Sequence, residues 1–411
     1  MLPHHDLVVV GGGIAGGAFA SAMARGGADV LVLERQVTYR DRVRGELLWP
    51  WGVRELQRLG LDDVLLTAGA NVADRMQSHD ELEGRDAPRA SEDLSQIVDG
   101  VPGSLNLYHP DATRALVDAA RDCGARVSTG VDHVVTEVGA EPTVSWSDGD
   151  GAHRVRCDLI VGADGRSSSV RRQAGIDLRG DQPAHLAAGL LVDDVAAEPS
   201  TNVAARAGDA LFLSFPQRNG RARLYYCIPT SQRNRFSGRD AGREFLRATR
   251  DISCLPEPER WANATPAGPC ATFTCEDTWV ETPHRGHVVL IGDAAGYNNP
   301  LIGQGLALAF RDARVLSEQL LAYGGAAPEA LDTYARERAE RLRRARISCL
   351  LVVWIHGGFE QQDPASRRRL DERASGDDVL GPLMGTTWRG FDDLERTPSE
   401  SEVRDRLFGK A

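Results

Sequence analysis

A glycine-rich turn close to the N-terminus constrains the fold of this chain more than any other feature. Residues 6–11 form a short apolar run that predicts a buried parallel strand, and the run ends in a GxGxxG pattern at residues 11–16. Apolar residues at helical spacing continue to Gly26, and a second apolar run at residues 30–33 ends at Glu34. This order of strand, turn, helix and strand predicts a unit that binds a dinucleotide.

The residue types around the turn suit a bound pyrophosphate. Gly13 lets the backbone approach the phosphates, and the N-terminus of the following helix offers free N–H groups and a positive dipole. Glu34 is expected to accept hydrogen bonds from an adenosine ribose. The candidate ligand-binding residues of this unit are Gly11, Gly13, Ile14, Ala15, Gly16, Glu34 and Arg35. The motif alone leaves both FAD and NAD open as the dinucleotide.

Composition and charge exclude several other classes of protein. The net charge of −11 provides no basic footprint for nucleic acid. No apolar run reaches the roughly 18 residues that a membrane-spanning helix needs. The seven cysteines include no CxxC pair, so we predict no metal site and free thiols in a reducing cytoplasm. The first residues lead straight into an apolar run without the pattern of a secretory signal, which agrees with a cytoplasmic location.

Two later segments repeat the pattern of a strand followed by a polar turn. The largely apolar residues 157–161 precede an Ala-Asp-Gly turn at 163–165, and the largely apolar residues 287–291 precede a Gly-Asp turn at 292–293. With the N-terminal glycine turn, these segments stand in an order and spacing that resemble the group A flavin monooxygenases, the para-hydroxybenzoate hydroxylase-like family. The resemblance extends over residues 6–322.

This resemblance implies the fold class and the division of the chain. It implies an α/β fold with a Rossmann-like FAD-binding domain of the GxGxxG type, a mixed β-sheet substrate domain and C-terminal helices. The expected ranges are 1–71, 101–171 and 281–325 for a discontinuous FAD-binding domain, 72–100 and 172–280 for the substrate domain, and 326–411 for the C-terminal helical region.

Local signals add three expectations about secondary structure. Asn219-Gly220 stands between two apolar runs and predicts a β-hairpin in the substrate domain. The polar residues 83–100 are expected to form a loop. Pro328 is expected to open a long helix that ends near residue 356.

The resemblance also implies roles for residues at the flavin. Asp293 is expected to bind the ribityl hydroxyls, and backbone N–H groups of residues 303–306 are expected at the pyrimidine edge of the flavin. The residues that the resemblance adds to the cofactor site are Arg44, Asp164, Gly165, Gly292, Asp293, Pro300, Gly303, Gln304, Gly305 and Leu306. The expected catalytic residues are Pro300 beside the isoalloxazine ring, Arg44 as a partner of the nicotinamide phosphates, and Tyr297.

The implied reaction uses NAD(P)H to reduce FAD and O2 to form a flavin C4a-hydroperoxide. That species hydroxylates or epoxidises a small-to-medium aromatic substrate, and an apolar pocket must exclude water. A reductase of the geranylgeranyl reductase-like type is the alternative, and a flavoprotein without enzymatic activity is a further one. The only lysine, Lys410, makes a halogenase that needs an active-site lysine a poor match.

Several features stay open at this stage. The group that activates the substrate is one of Tyr225, Tyr226, His185 and Tyr297, or none of them. The tryptophans at 49 and 51 either fill the core or form a wall of the flavin site. The chain is expected to be a monomer or a homodimer.

Overall fold

The computed structural model describes residues 1–43, 45–86, 88–139, 141–356 and 363–409. The prediction for Arg44 therefore lies outside the described residues. Of the helices in the described ranges, none is both long enough and apolar enough to cross a membrane.

The helices lie between the strands in the first part of the chain and follow one another at its C-terminal end. They are α1 (Ile14–Arg25), α2 (Pro50–Arg58), α3 (Asp62–Thr67), α4 (His109–Asp122), α5 (Ser169–Gln173), α6 (Ala241–Arg247), α7 (Pro258–Ala262), α8 (Gly305–Tyr323), α9 (Pro328–His356), α10 (Pro364–Gly376), α11 (Leu380–Arg389) and α12 (Glu400–Phe408).

The strands form two large sheets and two small ones. They are β1 (His4–Val10), β2 (Val30–Glu34), β3 (Leu47–Leu48), β4 (Asn71–Ala73), β5 (Arg75–Asp80), β6 (Ala90–Asp93), β7 (Ser104–Asn106), β8 (Arg126–Thr129), β9 (Asp132–Glu137), β10 (Thr143–Asp148), β11 (Gly151–Gly162), β12 (Arg179–Gly180), β13 (His185–Asp193), β14 (Thr201–Ala207), β15 (Ala210–Pro216), β16 (Ala222–Ile228), β17 (Thr265–Pro266), β18 (Ala271–Cys275), β19 (Thr278–Trp279), β20 (His284–Arg285) and β21 (Val288–Leu290).

The first large sheet has a parallel centre, in the order β21-β11-β1-β2-β8. Residues 7–10 of β1 and 30–33 of β2 are apolar and buried, as expected for a parallel sheet that is covered on both faces. Helix α1 connects β1 to β2 and packs against α4 and α8. The C-terminal ends of β1, β11 and β21 therefore lie side by side, and the three polar or glycine-rich turns follow those ends.

The second large sheet is mixed, in the order β17-β13-β16-β15-β14-β5-β6, with β18 also paired to β13. Its strands lie within residues 75–93 and 185–275, inside the two ranges expected for a substrate domain. The boundaries of the domains stay a prediction. The hairpin of β15 and β16 turns at Asn219 and Gly220, which both have positive φ angles of 63° and 70°. The Asn-Gly pair suits this turn because both residue types tolerate that conformation.

One local expectation is wrong. Residues 83–100 are not all loop, since β6 pairs antiparallel with β5 along Ala90–Asp93. Within the described ranges, this strand lies at the edge of the sheet and pairs with β5 alone. Its polar side chains remain at least partly exposed, so the sequence carries no apolar alternation to reveal it.

The C-terminal helices pack against one another and against α8 and α2. Helix α9 packs against α8, α10 and α11, and an apolar cluster joins α9 to α12 around Leu351, Leu383 and Leu407. Arg367 of α10 forms ion pairs with Asp80 at 3.2 Å and Glu81 at 2.9 Å, at the end of β5. The two large sheets and the helices from α9 to α12 confirm the mixed sheets and C-terminal helices of the expected α/β fold.

Candidate active site

A cavity of about 920 Å³ is lined from both large sheets and from the C-terminal helices. Most of the predicted cofactor residues line it, together with the predicted catalytic Tyr297. They are Gly11, Gly13, Ile14, Ala15, Glu34, Arg35, Asp164, Gly165, Gly292, Asp293, Pro300, Gly303, Gly305 and Leu306. Each of the three turns is more than a hundred residues from the next in the sequence. They thus meet at one cavity.

Two predicted residues stand behind this wall. A Cβ at Gly16 would lie 1.9 Å from the carbonyl oxygen of Gly11, so the glycine lets α1 pack on the turn. The Gln304 side chain is fully buried: its amide oxygen accepts from the Trp51 indole at 2.8 Å, and its nitrogen donates to Ile302 at 2.6 Å. The Gln304 side chain therefore takes no part in the cavity, and the role of its backbone N–H stays a prediction.

Two helix N-termini open into the cavity. Helix α1 begins at Ile14 and helix α8 at Gly305, and neither has a side-chain cap. The first N–H groups of a helix have no partner within it, so these ends suit anionic or carbonyl oxygens of a ligand. A Cβ added at Gly13 or Gly305 would meet no atom of the protein within 4 Å. This space is therefore open to a ligand that approaches the backbone closely.

Glu34 ends β2 at the edge of the cavity, and the backbone holds its carboxylate in place. One oxygen accepts from the N–H of Gly12 at 2.7 Å, and the other accepts from the N–H of Gln36 at 2.6 Å. A carboxylate has acceptor capacity beyond two hydrogen bonds. Glu34 can therefore both fix the glycine turn and accept from a ribose hydroxyl.

Asp293, Arg166 and Tyr297 form a group on another part of the wall. The Asp293 carboxylate lies 3.3 Å from Nε of Arg166, and the Arg166 guanidinium lies 3.9 Å from the centroid of the Tyr297 ring. The Tyr297 hydroxyl donates to Glu276 at 2.5 Å. Burial and this contact raise the pKa of Tyr297 to about 12. Tyr297 thus keeps its proton at neutral pH and helps to position Arg166.

A buried ion-pair cluster supports the turn at Gly292 from behind. Asp312 of α8 accepts from the N–H of Gly292 at 2.8 Å and forms ion pairs with Arg338 at 3.0 Å and Arg341 at 2.7 Å, both from α9. These two arginines hold the pKa of Asp312 below its usual range despite burial. The roles of Arg338 and Arg341 escaped sequence reasoning, because they look like ordinary charges on a long polar helix.

The Asp164 side chain has a structural task as well as a place on the wall. Its Oδ2 accepts from the backbone N–H of Ser169 at 2.6 Å and of Val170 at 3.2 Å, so it caps the start of α5. Gly165, which follows it, has a φ of +76°. The turn between β11 and α5 is therefore shaped by both residues.

Alternation along β16 separates the two neighbouring tyrosines. Tyr225 lines the cavity, next to Phe215 at 6.2 Å and Phe273 at 6.4 Å between ring centroids. Tyr226 points to the opposite face of the sheet and is buried against Phe212 and Phe245. His185 is also fully buried and does not line the cavity. Of the four candidates for substrate activation, Tyr225 and Tyr297 are the two at the cavity.

The C-terminal helices add residues that the sequence did not reveal. Thr387 and Trp388 of α11 line the cavity, and the Trp388 ring lies 6.4 Å from that of Trp49. The Trp49 indole donates to the carbonyl of Ile302 at 2.9 Å. Trp49 is therefore part of the wall, whereas Trp51 packs in the core against Phe391. No motif marks Trp388, because its place depends on how α11 docks.

A charged network beneath the wall was also missed. Arg223 is fully buried, donates to both carboxylate oxygens of Asp41 at 2.7 Å, and lies 3.3 Å from Glu46. Glu46 accepts from the Tyr225 hydroxyl. Both Glu46 and Tyr225 line the cavity. The sequence shows only an ordinary Arg-Leu-Tyr-Tyr strand here.

The cysteines are free thiols, and one of them, Cys227, lies at the cavity. All seven cysteines are free, and the described ranges hold no group of three potential metal ligands. Burial raises the pKa of Cys227, which lines the cavity, to about 12, so its thiol stays protonated.

The cavity combines helix N-termini that suit phosphate groups with an aromatic wall. This arrangement is that of a flavin-dependent oxidoreductase. The chain belongs to the FAD binding domain family, whose model matches residues 4–346.

Individual relatives agree with this assignment. The 6-methylpretetramide 4-monooxygenase of Streptomyces rimosus is 27% identical over 381 residues, which cover 84% of this chain and 83% of that protein. The dialkyldecalin synthase of Streptomyces rugosporus is 28% identical over 347 residues, which cover 81% and 69%. The fold matches the crystal structure of p-nitrophenol 4-monooxygenase from Pseudomonas putida with a TM-score of 0.75 at 22% identity, over 94% of this chain and 97% of that one. The predicted family, the FAD cofactor and the flavin-dependent monooxygenase class are confirmed.

Proposed function

We propose that this chain uses NAD(P)H and O2 to hydroxylate or epoxidise a flat aromatic substrate, with FAD bound at the glycine turns. The observation that carries the proposal is the single cavity in which the uncapped ends of α1 and α8 adjoin an aromatic wall. When bound, FAD supplies the transfer of electrons from NAD(P)H to O2.

The residues present fit FAD. We assign the GxGxxG turn and the N-terminus of α1 to the pyrophosphate, Glu34 to the adenosine ribose, and Asp293 to the ribityl hydroxyls. The N-terminus of α8 at Gly305 and Leu306 is assigned to the flavin ring, where its dipole stabilises negative charge. Arg44 stays a prediction for the nicotinamide phosphates.

The substrate side of the cavity is apolar and aromatic. Trp49, Phe215, Phe273 and Trp388 line it, and rings of this kind bind planar ring systems through stacked and edge contacts. The same side chains exclude water. A monooxygenase needs this exclusion so that the reduced oxygen reacts with the substrate. The name of the relative 6-methylpretetramide 4-monooxygenase supports oxygen transfer to an organic substrate.

Isotope labelling tests the proposal directly. The FAD-loaded protein is incubated with NADPH or NADH, 18O2 and a panel of planar phenols and polycyclic aromatics, and products are analysed by mass spectrometry. We expect a product that contains one 18O atom from O2, and we expect none with wild-type protein from which FAD has been removed.

Two other outcomes would contradict the proposal. A product that gains hydrogen and no oxygen would indicate a reductase. An isomer formed without consumption of NAD(P)H would indicate ring formation of the kind that the name of the dialkyldecalin synthase suggests for that relative.

The proposal includes a cytoplasmic location, which the seven free cysteines support. The oligomeric state, a monomer or a homodimer, stays a prediction that sedimentation would test.

A further inference from the structure

A short segment of the cavity wall is held from behind by buried polar contacts. The segment, residues 297–299, leads directly into Pro300. Tyr297, Asn298 and Pro300 line the cavity, whereas residues 275–278, which hold the segment, do not. The position of this part of the wall is therefore set by residues that do not face a ligand.

Asp277 makes the central contacts to this segment. One oxygen of its carboxylate accepts from the backbone N–H of Asn299 at 2.9 Å and from the side-chain amide of Asn298. Next to it, Thr278 exchanges two hydrogen bonds with Tyr297, at 2.8 and 3.0 Å. An ionised carboxylate can only accept hydrogen bonds, so it also fixes which end of the Asn298 amide faces it. Ionised Asp277 thus sets both the position of the segment and the orientation of one amide in the wall.

The charge of Asp277 depends on its surroundings. Burial raises the pKa of Asp277 to about 6, although the hydrogen bonds from the two asparagines and the charge of Arg346 act against that rise. The charged groups that face Asp277 are Asp181, in the segment before β13, and Arg346 of α9, which pair with each other at 3.4 Å. The thiol of Cys349, also on α9, lies on the same side. The carboxylate therefore changes its charge in mildly acidic solution.

The ionised carboxylate does not serve the stability of the fold. Between its ordinary pKa of 3.8 and its folded pKa of about 6, Asp277 holds a proton in the folded chain that the unfolded chain has released. Stability therefore falls as pH rises through this window and stays lower above it. A buried charge that opposes folding at neutral pH needs another role, and its contacts to the cavity wall supply one.

We propose that Asp277 is a positioning residue whose ionised carboxylate fixes residues 297–299 and Pro300 in the cavity wall, and whose protonation releases them. This inference rests on the proposed function, in which Pro300 lies beside the flavin ring. The proton comes from solvent and converts the carboxylate to a carboxylic acid; no bond to a ligand forms and no electron is transferred. Hydrogen bonds to a charged acceptor are about twice as strong as neutral ones, so the contacts to both asparagines weaken on protonation. The wall is then free to move where water must be excluded.

The absorbance spectrum of bound FAD tests this role. FAD-loaded protein is titrated from pH 8 to pH 5 without NAD(P)H, a range in which free FAD does not titrate. We expect the flavin bands of the wild-type protein to shift with a midpoint near pH 6. Asp277→Asn is expected to abolish this transition, and its spectrum at pH 8 should resemble that of the wild-type protein at pH 5, because the amide accepts without a charge. Asp150→Asn, at an exposed carboxylate away from the cavity, and His133→Gln, at an exposed histidine of the cavity rim, are the controls that keep the transition.

Two further variants are expected to move the midpoint in opposite directions. Asp181→Asn removes a negative charge and should lower it, whereas Arg346→Gln removes a positive charge and should raise it, each by a few tenths of a pH unit or more. A merely structural role of Asp277 would produce neither shift.

The proposal is overturned if FAD-loaded wild-type protein shows no transition, if Asp277→Asn keeps it, or if the variants of Asp181 and Arg346 leave the midpoint unchanged. These two variants decide the question even where Asp277→Asn fails to fold. Because the assay contains no NAD(P)H, failure of oxygen transfer would leave its result unaffected.

Discussion

The backbone N–H of Gly292 donates a 2.8 Å hydrogen bond to the carboxylate of Asp312. Gly292 comes directly before Asp293, which lines the cavity. This contact joins the turn after β21 to helix α8, whose N-terminus opens into the same cavity. The position of Asp293 therefore depends on a buried carboxylate that never faces the ligand.

Replacement of Asp312 by Asn is expected to cost about 3–5 kcal/mol of unfolding free energy, because the buried Arg338 loses the carboxylate that pairs with it and Arg341 keeps only its ion pair with Glu337. FAD affinity is expected to fall as well, since a neutral amide oxygen accepts the N–H of Gly292 more weakly than the carboxylate does. Chemical denaturation and fluorescence titration with FAD measure the two effects. The matched control is Asp118→Asn, at an exposed ion pair with Arg121, which should change stability by less than about 1 kcal/mol. Equal effects of the two variants would contradict the role of Asp312.

The same carboxylate predicts how stability responds to acid. The folded pKa of Asp312 lies below its ordinary value of 3.8, so its contribution is present above that pH and is lost as pH falls through the folded pKa. The acid limb of the wild-type stability curve is therefore expected to be steeper than that of Asp312→Asn. Parallel curves below pH 4 would show that the folded pKa is not depressed.

Gly13→Ala is expected to separate cofactor binding from folding. Its φ is −77°, which alanine adopts readily, and a Cβ there meets no protein atom within 4 Å. The apoprotein should keep its melting temperature within about 2 °C, while the Kd for FAD should rise at least about tenfold, equivalent to 1.4 kcal/mol. Gly149→Ala, at an open glycine away from the cavity, is the control and should change neither quantity. Unchanged FAD affinity in Gly13→Ala would place the cofactor elsewhere.

His109 predicts a second effect of pH on stability. Burial lowers its pKa from 6.5 to about 4, so between those values the unfolded chain holds a proton that the folded chain does not. Stability therefore rises with pH across this window, is complete above pH 6.5 and is lost towards pH 4. Between pH 7 and 4.5 the wild-type protein should lose about 1–3 kcal/mol more than His109→Gln. The exposed His4, replaced by Gln, serves as the control, and an equal loss in all three proteins would refute the prediction.

Trp388→Ala is expected to loosen the substrate wall without disturbing the cofactor. The indole lines the cavity beside Trp49, and its removal admits water near the site of oxygen reduction. FAD content should stay unchanged, whereas the fraction of NAD(P)H oxidation that yields hydrogen peroxide should rise several-fold. The hydrogen peroxide fraction of Trp388→Phe should lie between those of the wild-type protein and Trp388→Ala. If Trp388→Ala formed no more hydrogen peroxide per NAD(P)H than the wild-type protein, α11 would not be part of the wall around the reacting substrate.

The sequence predicted those parts of the site that depend on local backbone chemistry. The strand and helix around the turn at Gly13, the Asn219-Gly220 hairpin and the helix from Pro328 to His356 each rest on residues close together in the chain. Tertiary docking decided the rest. Trp388 reaches the cavity because α11 packs on α9, and β6 exists because β5 offers it a free edge. Neither relationship leaves a periodic trace in the sequence.

The charged residues show the same division. Glu34 could be assigned a role because its distance from the glycine turn follows from one strand–helix–strand unit. Glu46 and Arg223 meet across 177 residues, and a buried ion pair has no signature that separates either residue from an exposed one before the fold is known. Adjacent tyrosines at 225 and 226 differ only in the face of β16 that each occupies.

The open space at Gly13 and Gly305 also bears on how such a chain changes over generations. No neighbouring atom of the polypeptide would resist an alanine at either position. A lineage that lost its dependence on the nucleotide would therefore be free to replace both glycines and still fold. Gly11 and Gly16 lack that freedom, because an added methyl group would collide with the backbone itself. Substitutions at the first pair would mark descendants that have abandoned redox chemistry, whereas substitutions at the second pair would require the turn to be rebuilt.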